Sequence, residues 1–535
     1  GACSAVAYTT AVKDQFNNIA TVTSDTGITM AGGQSGSFYA TGGCGGGTVS
    51  SATISNGGSY ASLFYKNNTA QTVTLNTSSG SYTQGTQVVT INPAAPTVLA
   101  MSGVTSLTAG VCSSTSMTMT TKDAYGNVSN VGGNKSLTLS GAQNGFFYGT
   151  AGCGAGTISS ITVLNGQSVA NFYYKNNTAQ TVTLAADAGG FSQGNLIFTV
   201  APALADTLVM SGDSPLTAGN CSANAYTIVT KDAYGNVSNV SGNSAVTLSG
   251  SGAGGFYGTA GCGAGTISSV TVLNGQATTS FYYKNTAAQT VTLLGNRGGF
   301  AQGSKPVGIN PAALSALKLS GPVSSVTVAA CAATYTVTSG DAYGNPLNVG
   351  SDTPVTLLGG YTGSYYATPG CGGGAITVVT IANATLSKEF YYGLTGIGAV
   401  TMRSVTITAA TSPSLSGSNL TVSMVSDVPN KLSSTGATTV TAASCTTRSL
   451  QVKDQYNNYS DVASDTAISL ASGTGNMTFY ELADSTCTGS TITVVTLSAG
   501  GHIRNFNAKT NVAETSPYIA TATGLVGTTY NLTVV

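Results

Sequence analysis

The stretch KDAYGNVSNV, Lys122 to Val131, returns almost letter for letter as Lys231 to Val240. Looser copies are KDQFNNIATV from Lys13, GDAYGNPLNV from Gly340 and KDQYNNYSDV from Lys453. Five aspartates mark the series, Asp14, Asp123, Asp232, Asp341 and Asp454, at separations of 109, 109, 109 and 113 residues. That period is too long for a helical or leucine-rich solenoid unit and suits a domain with its own core. The chain therefore reads as five repeats in a row, with expected boundaries 1–94, 95–203, 204–312, 313–426 and 427–535.

Physically the stretch reads as a strand end followed by a tight turn. MTMTTKD alternates apolar and polar side chains up to Asp123, and Tyr125, Gly126 and Asn127 then bend the backbone. Aspartate bonds the backbone two residues on, and Gly126, Gly235 and Gly344 accept positive φ. In the first and fifth copies the glycine becomes Asn17 and Asn457, the residue type that best tolerates the left-handed region after glycine. The aromatic one place earlier, Phe16, Tyr125, Tyr234, Tyr343 or Tyr456, is expected to pack inward as a corner anchor.

A strand ending in a D-x-[YF]-[GN]-N turn, within repeats of this length, resembles the bacterial immunoglobulin-like domains of invasin- and intimin-type surface proteins, and the likeness covers all five repeats. The resemblance implies an antiparallel β-sandwich used as an extracellular spacer or adhesive stalk. A regularly placed cysteine pair is a departure from that family.

The expected fold class is all-β, with the resemblance implying a tandem array of five immunoglobulin-like sandwiches. About 107 residues per repeat matches such a domain. After the turn of the second repeat, SLTLS is expected to be a strand, GAQNGFFYGTAGCGAG a turn-rich connection, and TISSITVLNGQ a strand ending in an Asn-Gly turn. SVANFYYKN, AQTVTLAAD and NLIFTV complete about seven strands, and no stretch shows helical periodicity. Short junctions bearing Pro93, Pro96, Pro202, Pro311 and Pro429 stiffen the array into a rod of the order of 150 to 200 Å.

The ten cysteines fall two to a repeat: Cys3 and Cys44, Cys112 and Cys153, Cys221 and Cys262, Cys331 and Cys371, Cys445 and Cys487, separated by 41, 41, 41, 40 and 42 residues. Five intradomain disulfides and an oxidising compartment are the economical reading. Metal binding and redox chemistry fit poorly, because no C-x-x-C occurs and His502 is the single histidine.

Charged residues make up 6% of the chain against roughly 25% in an average domain, and 17 basic residues balance 17 acidic ones. The surface must be Ser, Thr, Asn, Gln, Gly and Ala. It offers no pull toward nucleic acid or an anionic membrane and little repulsion between copies, so self-association is expected. No apolar run is long enough to span a bilayer as a helix. The opening GAC aligns with the ends of TAGVC and TAGNC, so the first repeat lacks its opening strand. This reads as a piece of a longer array; strand addition from another chain is a second reading.

Chemical constellations are weak. The glycine-rich loops around Cys44, Cys153 and Cys371 are followed by no GK[ST] and no helix. Lys66, Lys175 and Lys284 raise the idea of isopeptide crosslinks, but the fourth repeat has Gly393 there, so solvated lysines, some pairing with the turn aspartates, are expected. No calcium-loop or nucleophile-elbow motif appears. Tyr173–Tyr174, Tyr282–Tyr283 and Tyr391–Tyr392 place neighbouring rings on opposite faces of a strand. The divergent fifth repeat carries Glu481, Asp484, His502 and Arg504. The expected function is an extracellular structural fibre, filament or sheath, with no enzymatic activity, cofactor or metal. The alternatives are an adhesin stalk that binds glycan or a receptor, and a spacer in a larger secreted enzyme.

Overall fold

Alternation in the sequence becomes alternation in burial. Met117–Lys122 buries Met117, Met119 and Thr121, while the residues between them are half-exposed. Gln180–Asp187 repeats the pattern with Val182, Leu184 and Ala186. A computed structural model describes residues 1–331, 333–410 and 415–535 and shows an all-β tandem array of five immunoglobulin-like sandwiches.

The second repeat shows the plan. One sheet orders Thr157–Ile158, Gly145–Tyr148, Val169–Asn176, Met117–Lys122 and Val98–Ser102. The facing sheet orders Ser106–Thr108, Gly194–Ala201, Gln180–Asp187, Lys135–Ser140 and Ser160–Val163. Leu99, Met119, Leu137, Phe172, Tyr174, Leu184 and Phe198 meet between them as one core. Burying each such side chain is worth roughly 1.5–3 kcal/mol.

The repeat has more strands than the seven expected, for three local reasons. The opening strand splits: Val98–Ser102 pairs antiparallel with Met117–Lys122, and after Gly103 the chain crosses to run Ser106–Thr108 parallel to Gly194–Ala201. TISSITV also changes sheets, because Thr157–Ile158 pairs with Phe147 and Tyr148 while Ser160–Val163 pairs with Lys135–Ser140. The stretch expected to be only a turn-rich connection holds the strand Gly145–Tyr148, which pairs with Val169–Asn176.

Each repeat carries one disulfide: Cys3–Cys44, Cys112–Cys153, Cys221–Cys262, Cys331–Cys371 and Cys445–Cys487, with Cα–Cα distances of 5.7, 5.8, 5.7, 5.5 and 5.5 Å. The second cysteine of each pair sits in the left-handed region, at φ of 53 to 55°. In the first four repeats a glycine with φ of 68 to 75° precedes it in a short 3-10 turn. Two successive left-handed residues explain the glycine there.

The first and fifth repeats depart from the plan. In the first, the sheets are Tyr8–Ala11, Tyr60–Lys66, Ser37–Tyr39, Thr48–Val49 and Ser51–Ile54, Thr26–Ala31, Thr72–Ser78, Gly85–Thr90. Within residues 1–94 nothing stands beside Tyr8–Ala11 where Val98–Ser102 stands in the second repeat. The buried core there divides into two smaller clusters. In the fifth, Lys431 pairs in parallel with Val526 and joins both sheets along one side.

Candidate functional site

The repeated turn is built from its aspartate outward. Asp123 Oδ1 accepts the amides of Tyr125 and Asn127, each at 2.9 Å. Two backbone bonds, Asp123 N to Asn127 O at 2.9 Å and Gly126 N to Asp123 O at 3.0 Å, close the turn. Gly126 has φ 87°, and Asn17 and Asn457 both have φ 72° at the matching place. The other carboxylate oxygen reaches out of the turn: Asp123 Oδ2 accepts Asn127 Nδ2 at 2.8 Å and the amide of Ala94, in the preceding connection, at 2.9 Å.

The asparagine that ends the motif crosses to the preceding repeat. Asn127 Nδ2 donates to Asn68 O at 2.7 Å, and its Oδ1 accepts the amide of Ala70 at 2.9 Å. The same pair of bonds recurs at each later junction. Asn236 joins Asn177 O at 2.8 Å and Ala179 N at 2.9 Å. Asn345 joins Thr286 O and Ala288 N, both at 2.7 Å. Asn458 joins Thr395 O and Ile397 N, both at 2.8 Å. Asp232, Asp341 and Asp454 likewise bond the connecting chain at Ala203, Ala312 and Asp427. The motif is thus the joint between domains as well as a turn within one.

Its receiving half is the FYYKN stretch and the loop after it. Tyr174, buried in the core, donates to Ala142 O at 2.7 Å and accepts Asn176 Nδ2 at 2.8 Å. Asn176 Oδ1 accepts the amide of Thr178 at 2.8 Å, which shapes the loop that Asn236 grips. A hydrogen-bonded path therefore runs from the core of the second repeat into the turn of the third. The sequence reading placed these asparagines in the turn and assigned them no role across the joint. The available signal was that Asn18, Asn127, Asn236, Asn345 and Asn458 persist in all five copies while the residues around them vary.

Burial follows engagement. Asp123, Asp232, Asp341 and Asp454 are buried, while Asp14 is exposed with only its own turn for partners. Burial pushes the Asp123 carboxyl up, but the bonds from Asn127, Ala94 and Tyr125 together outweigh it and hold the group down to about 2. Asp232 and Asp341 are lowered from the same balance of burial against hydrogen bonds.

The aromatic of the motif is not the expected inward anchor. Phe16 is 74% exposed, and Tyr125, Tyr234 and Tyr343 remain close to half-exposed. Tyr234 lies so close over Gly110 of the preceding repeat that a Cβ there would overlap its ring, and Tyr343 covers Gly219 in the same way. Tyr456 packs against the core of the fourth repeat, where Leu394 and Ile397 are buried. The ring belongs to the joint because the turn projects beyond the end of its own sandwich.

The turn aspartates pair with amides rather than with lysines. Among the described residues the one ion pair between permanently charged groups is Arg504 with Glu481 at 2.7 Å, and His502 Nδ1 hydrogen-bonds Asp461 at 2.6 Å, both in the fifth repeat. His502 also stacks on Tyr459 at 4.9 Å between ring centroids. Asp484 turns away from that patch to accept the amide of Gly489 at 2.7 Å. Among the described residues no three His, Cys, Asp or Glu side chains converge as a metal site, and no helix is long and apolar enough to cross a membrane.

No protein-family model matches the chain, and no curated protein matches it in sequence. Among solved structures, Escherichia coli alpha-2-macroglobulin activated by porcine elastase aligns at 11% identity over 96% of this chain and 50% of its own, with a TM-score of 0.22. The surface layer protein SbsC, domains 1–6, aligns at 15% identity over 95% of this chain and 65% of that one, with a TM-score of 0.18. The D00-D0 domain of intimin aligns at 12% identity over 40% of this chain and 100% of that one, with a TM-score of 0.24. The chain spans about half the length of the alpha-2-macroglobulin it matches.

Proposed function

We propose that this chain is an extracellular structural protein whose repeats are clamped end to end to form the shaft of a surface fibre, filament or sheath. The observation that carries the reading is the joint: four successive junctions use the same asparagine pair of bonds and the same bond from the connecting chain to an aspartate. Directional bonds of this kind fix the angle between neighbouring domains, which a freely flexing string of domains would not need. One disulfide per repeat supports use in an oxidising compartment. A net charge of zero and few charged groups support lateral contact between copies. In this reading the chain performs no catalysis, and its work is to hold a length under load.

Electron microscopy of native material, at the cell surface or shed from it, tests the proposal. Long filaments or sheets with a regular axial repeat are the expected result. Separate slender rods ending in a distinct tip would replace the fibre with an adhesin stalk.

A further inference from the structure

We infer that in the second to fifth repeats the outward face of the sheet opposite FYYKN is the surface on which a second copy of this chain packs alongside the first. The two outer faces of each sandwich differ in charge. On the sheet that holds FYYKN, the outward positions include Lys122 and Lys175, Lys231 and Lys284, and in the fourth repeat Lys318 and Glu389. Tyr148 stands opposite Tyr173 on the same surface, and Tyr257 opposite Tyr282. On the facing sheets the outward positions are Thr, Ser, Asn, Ala, Gly, Pro and aliphatic residues. Among the described residues of those strands, Asp187, at the end of Gln180–Asp187, is the one charged side chain turned outward, and no aromatic ring is.

Burying a charge costs far more than burying a hydroxyl, so the facing sheet is the side that sheds its water at the lower cost. Its threonines already bond across strands, Thr406 to Thr421 at 3.5 Å and Thr408 to Asn419 Oδ1 at 2.8 Å. Apolar side chains stand exposed among them: Ile197, opposite Thr183, is 65% exposed, Met402 60% and Leu358 50%. Such a face holds no cation for an anionic polymer and no ring on which a sugar would stack. What complements it is another face of the same kind, packed as one sheet on another. Strands of about six residues, four or five to a sheet and about 4.8 Å apart, give roughly 400 Å² per face. A stable interface takes about 800 Å² from each partner, so the faces of two repeats must engage together. The joints favour this, because their directional bonds hold successive faces in one relation. The inference rests on the fibre reading and names the surface through which its shafts lie side by side.

The test is sedimentation velocity of the 535-residue chain, disulfide-bonded, over a range of concentrations. The parent is expected to associate. The triple variant Thr183→Lys, Thr292→Lys, Thr406→Lys, altered at exposed positions of the middle strand of each facing sheet, is expected to associate about tenfold or more weakly, because like charges then meet. Glutamate at the same three positions is expected to act alike, and an equimolar mixture of the two variants to associate again at low salt. Thr118→Lys, Thr227→Lys and Thr336→Lys together, on the other sheet, are expected to leave association unchanged. A parent chain that stays single at every concentration would overturn the proposal, as would its retention on an insoluble neutral polysaccharide without self-association. Facing-sheet variants that associate as the parent does would overturn it too, while leaving a fibre seen by microscopy in place and held by another surface.

Discussion

Asn236 does two jobs with one side chain: its amide nitrogen donates to Asp232 at 2.8 Å within the turn and to Asn177 O at 2.8 Å across the joint. Replacing it with alanine strands the Asn177 carbonyl and the Ala179 amide and leaves Asp232 Oδ2 with the Ala203 amide alone, so Asn236→Ala is expected to destabilise the second and third repeats by about 1–3 kcal/mol. Differential scanning calorimetry of the full chain would show those transitions moving down while the fifth repeat stays in place. The turn carboxylates also set an acid limit. Asp123 is held at about 2, below its ordinary 3.8, and Asp232 and Asp341 are lowered too. Their contribution is complete above the ordinary value and is lost as pH falls from about 4 toward 2. Melting temperature is therefore expected to drop across that window, and less steeply in a variant with asparagine at all three positions. The aspartate turn could be read from the sequence because an Asx turn is local. The roles of the asparagine and the aromatic across the joint could not, since the asparagine's partners sit about sixty residues back and the rings of Tyr234 and Tyr343 lie over Gly110 and Gly219, all in the preceding domain.

At the scale of strands and crosslinks, period-two alternation disclosed the sandwich, and regular cysteine spacing disclosed two cysteines per repeat. The alternation did not show that the opening strand and TISSITV each change sheets midway, because a strand keeps its alternation when it crosses from one sheet to the other. Removing the Cys112–Cys153 bond by serine substitution is expected to cost the second repeat roughly 4 kcal/mol in the chain-entropy account of a loop of this size. Urea unfolding of that variant should show one early transition. The fifth repeat offers a contrary case. Arg448 is fully buried at the place of Met117, donates to Ala437 O, lies 5.2 Å from the Tyr530 ring centre, and leaves Nε and Nη2 without partners. A buried guanidinium so poorly satisfied stabilises less than a well-packed apolar chain of similar length. Arg448→Met is expected to raise the stability of the fifth repeat by about 1–4 kcal/mol, read as a higher unfolding midpoint.

For the whole molecule, the 109-residue period made the array legible from the sequence alone. What the period could not convey is how one domain meets the next, and on that the mechanical account rests. Proline-bearing connections limit the path of the chain, but Asp123, Asn127 and their counterparts bond both the connecting chain and the neighbouring domain. In the proposed account stiffness comes chiefly from the joints and is expected to vanish with them. Small-angle X-ray scattering from the chain, compared with a variant carrying alanine at Asn127, Asn236, Asn345 and Asn458, tests this directly. The account predicts the profile of one extended rod for the parent chain and a broader, shorter distribution for the variant with each sandwich still folded. Identical profiles for the two, or a parent chain that already scatters as freely jointed beads, would contradict it.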